Sequence, residues 1–349
     1  MNIPAKPWIK KQKPKRILAI RLQAMGDVVV TLPYLLHLRN MLGSSTRLDF
    51  LTREETRAIP ESIELFDNIY IIGGARNFKK QLIKTFFLLP KLFVNRYDII
   101  IDLQNNRIGK IVRKVLLPEA WSAYDRFSPI SGAERYRLTI EAAYPFRNKA
   151  ANNFILKHPS AGLQKLIENN WREENALVVL NPAGAFETRN WNIDNYATFA
   201  KLWLNKFPET QFIIMGLPLL AGKAALLKKQ LGDNLINLVD KTTSAEAFAI
   251  LQRVKLVLSE DSGLMHMAWI SGVPTLTLFG STRSDWSRPL GEHTLLLDSS
   301  DLSCGNCMEA TCKFGDVHCL TRYSAEHVFH HALTLIEKTE KMQSIATTE

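Results

Sequence analysis

The sequence lacks a long apolar run. No stretch of its 349 residues reaches the ~18–20 consecutive apolar side chains that span a bilayer. The best candidate, Phe86–Val94, is broken by Pro90 and Lys91. The basic N-terminus (Lys10, Lys11, Lys13, Lys15, Arg16) is followed only by Ile17–Ile20 before Arg21, too short for the apolar part of a secretion signal. A cytoplasmic protein is expected. The G-x-G-x-x-G fingerprint of dinucleotide-binding turns is missing after the first apolar run, where Gly26 is the only glycine. Repeats of solenoid period, low-complexity tracts and nucleic-acid motifs are also absent, so no nucleic-acid partner is expected. Cysteine is scarce: four residues, all between Cys304 and Cys319.

What is present resembles an ordinary globular protein, with 46% hydrophobic and 22% charged residues. The length suits two domains. The net charge of +10 is unevenly spread. Residues 1–170 carry 28 Lys/Arg against 14 Asp/Glu, whereas residues 171–349 carry 16 against 20. A basic half on an acidic half predicts an anionic partner that meets mainly the first domain.

Residues 1–15 read as a flexible basic tail. Apolar runs then alternate with helical patterns: Arg16–Leu22, Val28–Leu42, Arg47–Leu51, Ile69–Ile72, Phe78–Arg96, Tyr97–Leu103 and Arg107–Leu117. Periodicity weakens between Tyr144 and Glu174, and a second series runs from Ala176 to Phe279. The rhythm predicts an α/β protein of two doubly wound, Rossmann-like domains, at 16–170 and 175–323, facing across a cleft. Residues 324–338 form a last helix, taken to pack back on the first domain, and 339–349 a frayed tail. In such sheets ligands sit at the carboxyl ends of strands, so the loops there carry the candidate chemistry.

Four loops stand out. Leu22–Asp27 follows the first strand, with Gly26 allowing a tight turn. Asp27 reads either as the N-cap of the next helix or as a general base at the cleft, and N-capping would weaken its basicity. Ser259–His266 runs from a strand into a helix, whose first N–H groups and dipole suit a phosphate or diphosphate near Ser262 and Gly263. Asp261 there fits better as a cap or a partner of a neighbouring loop, and His266 is as readily structural as functional. Asn181–Trp191 joins a turn at Gly184 to Arg189, a candidate bidentate phosphate clamp. Cys304, Cys307, Cys312 and Cys319 could hold a structural zinc or be reduced thiols packing a loop. Finally, Lys79–Lys114 mixes basic residues, including Lys79 and Lys80, with Phe86, Phe87 and Phe93. That mixture reads as a solvated helix face or as a surface for an anionic membrane or charged amphiphile.

These motifs together resemble glycosyltransferase family 9, the ADP-heptose:lipopolysaccharide heptosyltransferases and their relatives. The resemblance rests on Arg16–Pro33, Ile101–Asn105, Asn181–Trp191, Ser259–His266 with Ala268–Pro274, Leu278–Gly291 and the four-cysteine segment, in that order. It implies the GT-B architecture and an inverting, metal-independent transfer with no required cofactor. Asp27 matches the family's catalytic aspartate. Asp261, Ser262, Gly263 and His266, with Gly184 and Arg189, fall on the donor side, Arg189 where relatives carry a lysine. Gly26, Gln104, Asn105, Lys79 and Lys80 fall on the acceptor side. The implied partners are a nucleotide-sugar donor, ADP-heptose, and an anionic lipid-linked saccharide at the inner face of the cytoplasmic membrane. Rival readings are a nucleotide-sugar epimerase of the same architecture and a non-catalytic binder of anionic glycolipid.

Overall fold

Ile17, Leu18, Ala19 and Ile20 are wholly buried, as befits a strand covered on both faces. They belong to the first of two units that divide between Lys157 and His158 in this computed structural model, which describes residues 3–75 and 77–346. In chain order, the first unit holds β1 (Ala5–Lys6), β2 (Arg16–Ile20), α1 (Met25–Leu42), β3 (Arg47–Arg53) and α2 (Ala58–Ser62). It continues with β4 (Asn68–Ile72), α3 (Phe78–Val94), β5 (Ile99–Asp102), α4 (Arg107–Leu116), β6 (Ala120–Ala123) and α5 (Gly132–Ala143). The sheet order is β1-β6-β5-β2-β3-β4, parallel except for β1.

The second unit runs α6 (Ser160–Ile167), β7 (Ala176–Asn181), α7 (Ile193–Lys206), β8 (Thr210–Gly216), α8 (Ala221–Leu231), β9 (Leu235–Val239), α9 (Ser244–Leu251) and β10 (Leu256–Glu260). It ends with α10 (Gly263–Ile270), β11 (Thr275–Leu278), α11 (Ser284–Ser287), β12 (Thr294–Leu297), α12 (His318–Thr321) and α13 (Ala325–Ala346). Its sheet is fully parallel, in the order β12-β11-β10-β7-β8-β9. Each sheet reverses its strand order once, between β2 and β5 and between β7 and β10. A doubly wound sheet binds ligands at that switch point, beyond the carboxyl ends of those strands.

The chain ends depart from the sequence reading. The described part of residues 1–15 is no loose tail: β1 adds an antiparallel edge to β6, and Trp8 is buried, with its backbone N–H on the Ala143 carbonyl. Lys13 donates to the Met41 and Leu42 carbonyls, a cation on the C-terminal end of α1. Helix α13, expected over the first domain, buries Val328, Ala332, Leu335 and Ile336 in the core of the second unit against α7. It continues to Ala346 rather than fraying at 339; residues 347–349, like Met1 and Asn2, lie outside the described residues. The expected linker contains α6, packed on α9. A Cβ at Gly162 would come within 2.8 Å of the Ala249 Cβ, so only glycine admits that approach. The first unit therefore ends near residue 157 rather than 170.

Candidate active site

In the first unit the loops after β2 and β5 are tied together at the switch point. The Gln104 side-chain oxygen accepts from the Leu22 and Gln23 N–H groups at 3.0 and 3.1 Å, and Arg21 donates to the Leu103 carbonyl at 2.6 Å. They border a cavity of about 920 Å³ lined by Arg21, Asp27, Arg53, Gln104, Arg135 and Tyr136 among others. Asp27 is not the N-cap of α1. That position is Ala24, and Asp27 lies three residues on, its carboxylate accepting from the Ala24 N–H at 3.1 Å. Gly26 is helical in the first turn, so no tight turn depends on it.

Two side chains fix the Asp27 carboxylate. Tyr136 donates its hydroxyl to Oδ1 at 2.8 Å, and the Arg21 guanidinium reaches Oδ2 at 2.9 Å. Both contacts fix the orientation of the carboxylate. Burial opposes the Arg21 charge, but Tyr136 and Asp27 more than offset it, so its pKa stands above the ordinary value. Burial pushes the Tyr136 phenol well up, keeping it a proton donor. Tyr136 stacks on Tyr124 at 4.7 Å, and Arg21 lies over both rings. The Asp27 side chain itself stays half exposed to the cavity. The result is a held carboxylate in a pocket rich in arginine.

The other acceptor-side residues are placed differently. Asn105 does not line this cavity: it adopts a left-handed backbone (φ 47°) and donates to the Tyr124 carbonyl at 2.8 Å. Lys79 and Lys80 are exposed on α3 and do not line it either; Phe78 and Gln81 of the same helix do. Arg21, Arg53, Arg135 and Tyr136 were not singled out by the sequence. Tyr136 lies 109 residues from Asp27, and nothing local marks it.

In the second unit the loops after β7 and β10 meet at the corresponding switch point. Asn181 donates to the Ser259 and Ser262 hydroxyls, both at 2.7 Å. Ser262 caps α10, accepting from the Met265 N–H at 3.3 Å, and Gly263 begins the helix with open space where a Cβ would stand. Asp261 does not cap; it pairs with Arg189 at 3.0 Å, and the same guanidinium donates to its carbonyl. Packing requires a glycine at 184. A Cβ there would meet the Arg189 carbonyl at 2.2 Å and the Glu260 carboxylate at 2.9 Å. His266 lies one turn into α10, partly buried. Glu260, unremarked in the sequence, anchors this loop by accepting the Gly184 and Trp191 N–H groups at 2.5 and 2.7 Å. The arrangement sets a cation, Arg189, beside a helix N-terminus, which suits a small anion.

The four cysteines line one cavity of about 360 Å³ and form no disulfide. Among the described residues no three His, Cys, Asp or Glu side chains form a set that could hold a metal, so the expected zinc ligand set is not assembled. Cys312 turns to Asp316 instead (Sγ···Oδ1 3.7 Å). Burial, with the other three cysteines adding, pushes the Cys319 thiol up to about 11, so it stays protonated near neutrality.

Residues 140–318 match the profile of glycosyltransferase family 9 (heptosyltransferase). The chain belongs to glycosyltransferase family 9. Lipooligosaccharide heptosyltransferase 2 of Campylobacter jejuni subsp. jejuni serotype O:2 is 28% identical over 217 residues, 58% of this chain and 61% of that protein. The chain thus spans about three-fifths of that relative's length. Among solved structures, a family 9 glycosyltransferase of Veillonella parvula superposes with a TM-score of 0.78 at 18% identity, over 93% of this chain and 97% of that one. ADP-heptose LPS heptosyltransferase II of E. coli gives 0.70 at 16% identity, over 93% and 99%. These likenesses bear out the two-domain GT-B fold of the family.

Proposed function

We propose that this family 9 chain is an inverting heptosyltransferase. It moves heptose from ADP-heptose onto a lipid-linked acceptor of the lipopolysaccharide-core type, at the inner face of the cytoplasmic membrane. The observation that carries this reading is the Asp27 carboxylate, held by Arg21 and Tyr136 and open to an arginine-rich cavity. The heptosyltransferase names of the relatives supply the donor.

In this reading Asp27 takes the proton of the acceptor hydroxyl while that oxygen forms a bond to the anomeric carbon. The bond from that carbon to the diphosphate breaks, and ADP leaves with the electron pair. Negative charge then grows on the diphosphate, and Arg189 and the first N–H groups of α10 stabilise it. The basic cavity of the first unit suits an acceptor bearing phosphates or carboxylates.

The test is to incubate the protein with ADP-heptose and lipid-linked lipopolysaccharide-core fragments and to analyse the products. The expected outcome is ADP release with a heptosylated acceptor of inverted anomeric configuration. Release of an isomerised sugar without acceptor, or no stabilisation by any ADP-sugar in a thermal-shift screen, would overturn the reading.

A further inference from the structure

Helix α3 turns only Gln81, Thr85 and Leu92 fully inward, with Leu88 and Leu89 half-buried beside them. The rest of its surface is not the polar face expected of a solvated helix. Phe86, Phe87 and Val94 are 70%, 74% and 76% exposed, and Ile83 and Phe93 are more than half exposed. At ~100° per residue these side chains share the outer face, while Lys80, Lys84 and Lys91 line one edge of it. Neighbouring α4, packed against α3, adds Arg107, Lys110 and Lys114. Neither helix contains an Asp or Glu.

We propose that the outer face of α3 is an interfacial anchor that seats the protein on an anionic lipid bilayer. Apolar side chains for the acyl boundary beside lysines for the headgroups is the pattern of helices that lie in a membrane interface. No helix among the described residues is long and apolar enough to cross a membrane, so this contact is with the surface. The lysines along its edge and the absence of acidic residues from both helices favour an anionic surface as the occupant. The same helix lines the cavity of Asp27 through Phe78 and Gln81. The anchor therefore holds that cavity beside the surface in which a lipid-linked acceptor resides, and to this extent the inference rests on the proposed function.

The test is co-sedimentation of the full chain with phosphatidylcholine vesicles, with and without phosphatidylglycerol. Binding is expected only with the anionic lipid and falls as salt rises. The double substitution Phe86→Ser, Phe87→Ser weakens it about tenfold or more, and Lys84→Glu about fivefold or more. Phe87→Trp reports insertion directly, through a blue-shifted emission on anionic vesicles. Transfer to a detergent-dispersed acceptor needs Asp27 but survives the double substitution, so loss of the anchor and failure of the proposed activity read out separately. The proposal is overturned if the protein ignores anionic vesicles, if the substitutions leave binding unchanged, or if Trp at 87 stays in water. It is equally overturned if sedimentation shows that the apolar face instead joins two copies of the chain.

Discussion

Glu260→Gln tests the anchoring of the donor-side loop. In the native chain both carboxylate oxygens accept backbone N–H groups, from Gly184 at 2.5 Å and Trp191 at 2.7 Å. An amide keeps one accepting oxygen and turns an NH₂ group toward the other donor, leaving a buried N–H unpaired. Such an orphaned donor costs about 1–3 kcal/mol. The native carboxyl has its own handicap. Burial pushes its pKa from 4.5 up to about 7, with Lys223 and the two N–H groups only partly opposing. A carboxyl whose folded value lies above its unfolded value contributes its full stability below 4.5 and loses it as pH rises through about 7. The glutamine has no such titration. Urea unfolding should therefore find the variant less stable by about 1–3 kcal/mol at pH 5, with the gap narrowing by pH 8. A variant as stable as wild type at pH 5, or a gap that widens with pH, would refute this account of Glu260.

Other substitutions probe separate parts of the structure. Gly109→Ala would gain about 1 kcal/mol in a free helix, but its Cβ would lie 2.6–2.9 Å from the Asp102 carboxyl, so thermal denaturation should show a net loss. Trp8→Ala should cost about 3 kcal/mol in urea unfolding, against about 0.5 kcal/mol or less if residues 3–15 were a loose tail. Arg189→Ala should weaken ADP binding in calorimetry by about tenfold or more, while vesicle binding stays unchanged.

The alternation of apolar runs and helical patterns made the two doubly wound units legible, because parallel strands buried on both faces read as continuous apolar segments. Strands β6 and β12 and helices α5 and α6 were not legible. Ala120–Ala123 and Thr294–Leu297 are only four residues long, and α5 is interrupted by the charged residues Glu134, Arg135 and Arg137. The basic N-terminus hid one decisive residue, Trp8, whose burial outweighs the lysines around it. At the site, Asp27, Arg189 and Ser262 stood out because each lies on the stretch that leads from a strand into the next helix. Their partners did not. Tyr136 reaches Asp27 from α5, and Glu260 reaches Gly184 across 76 residues. Such pairings belong to the tertiary fold and leave no local pattern. For the cysteine cluster the spacing left a structural metal and packed thiols both open; the fold gathers all four around one cavity, with Cys312 against Asp316.

The central claim is that the carboxylate held by Arg21 and Tyr136 is the base of the transfer. Its most direct test is the turnover of Asp27→Asn with ADP-heptose and a lipid acceptor, beside its affinity for the donor. The account predicts a fall in kcat of about 10²–10⁴-fold, with donor affinity unchanged because Arg189 and α10 lie in the other unit. Turnover near the wild-type rate would contradict it.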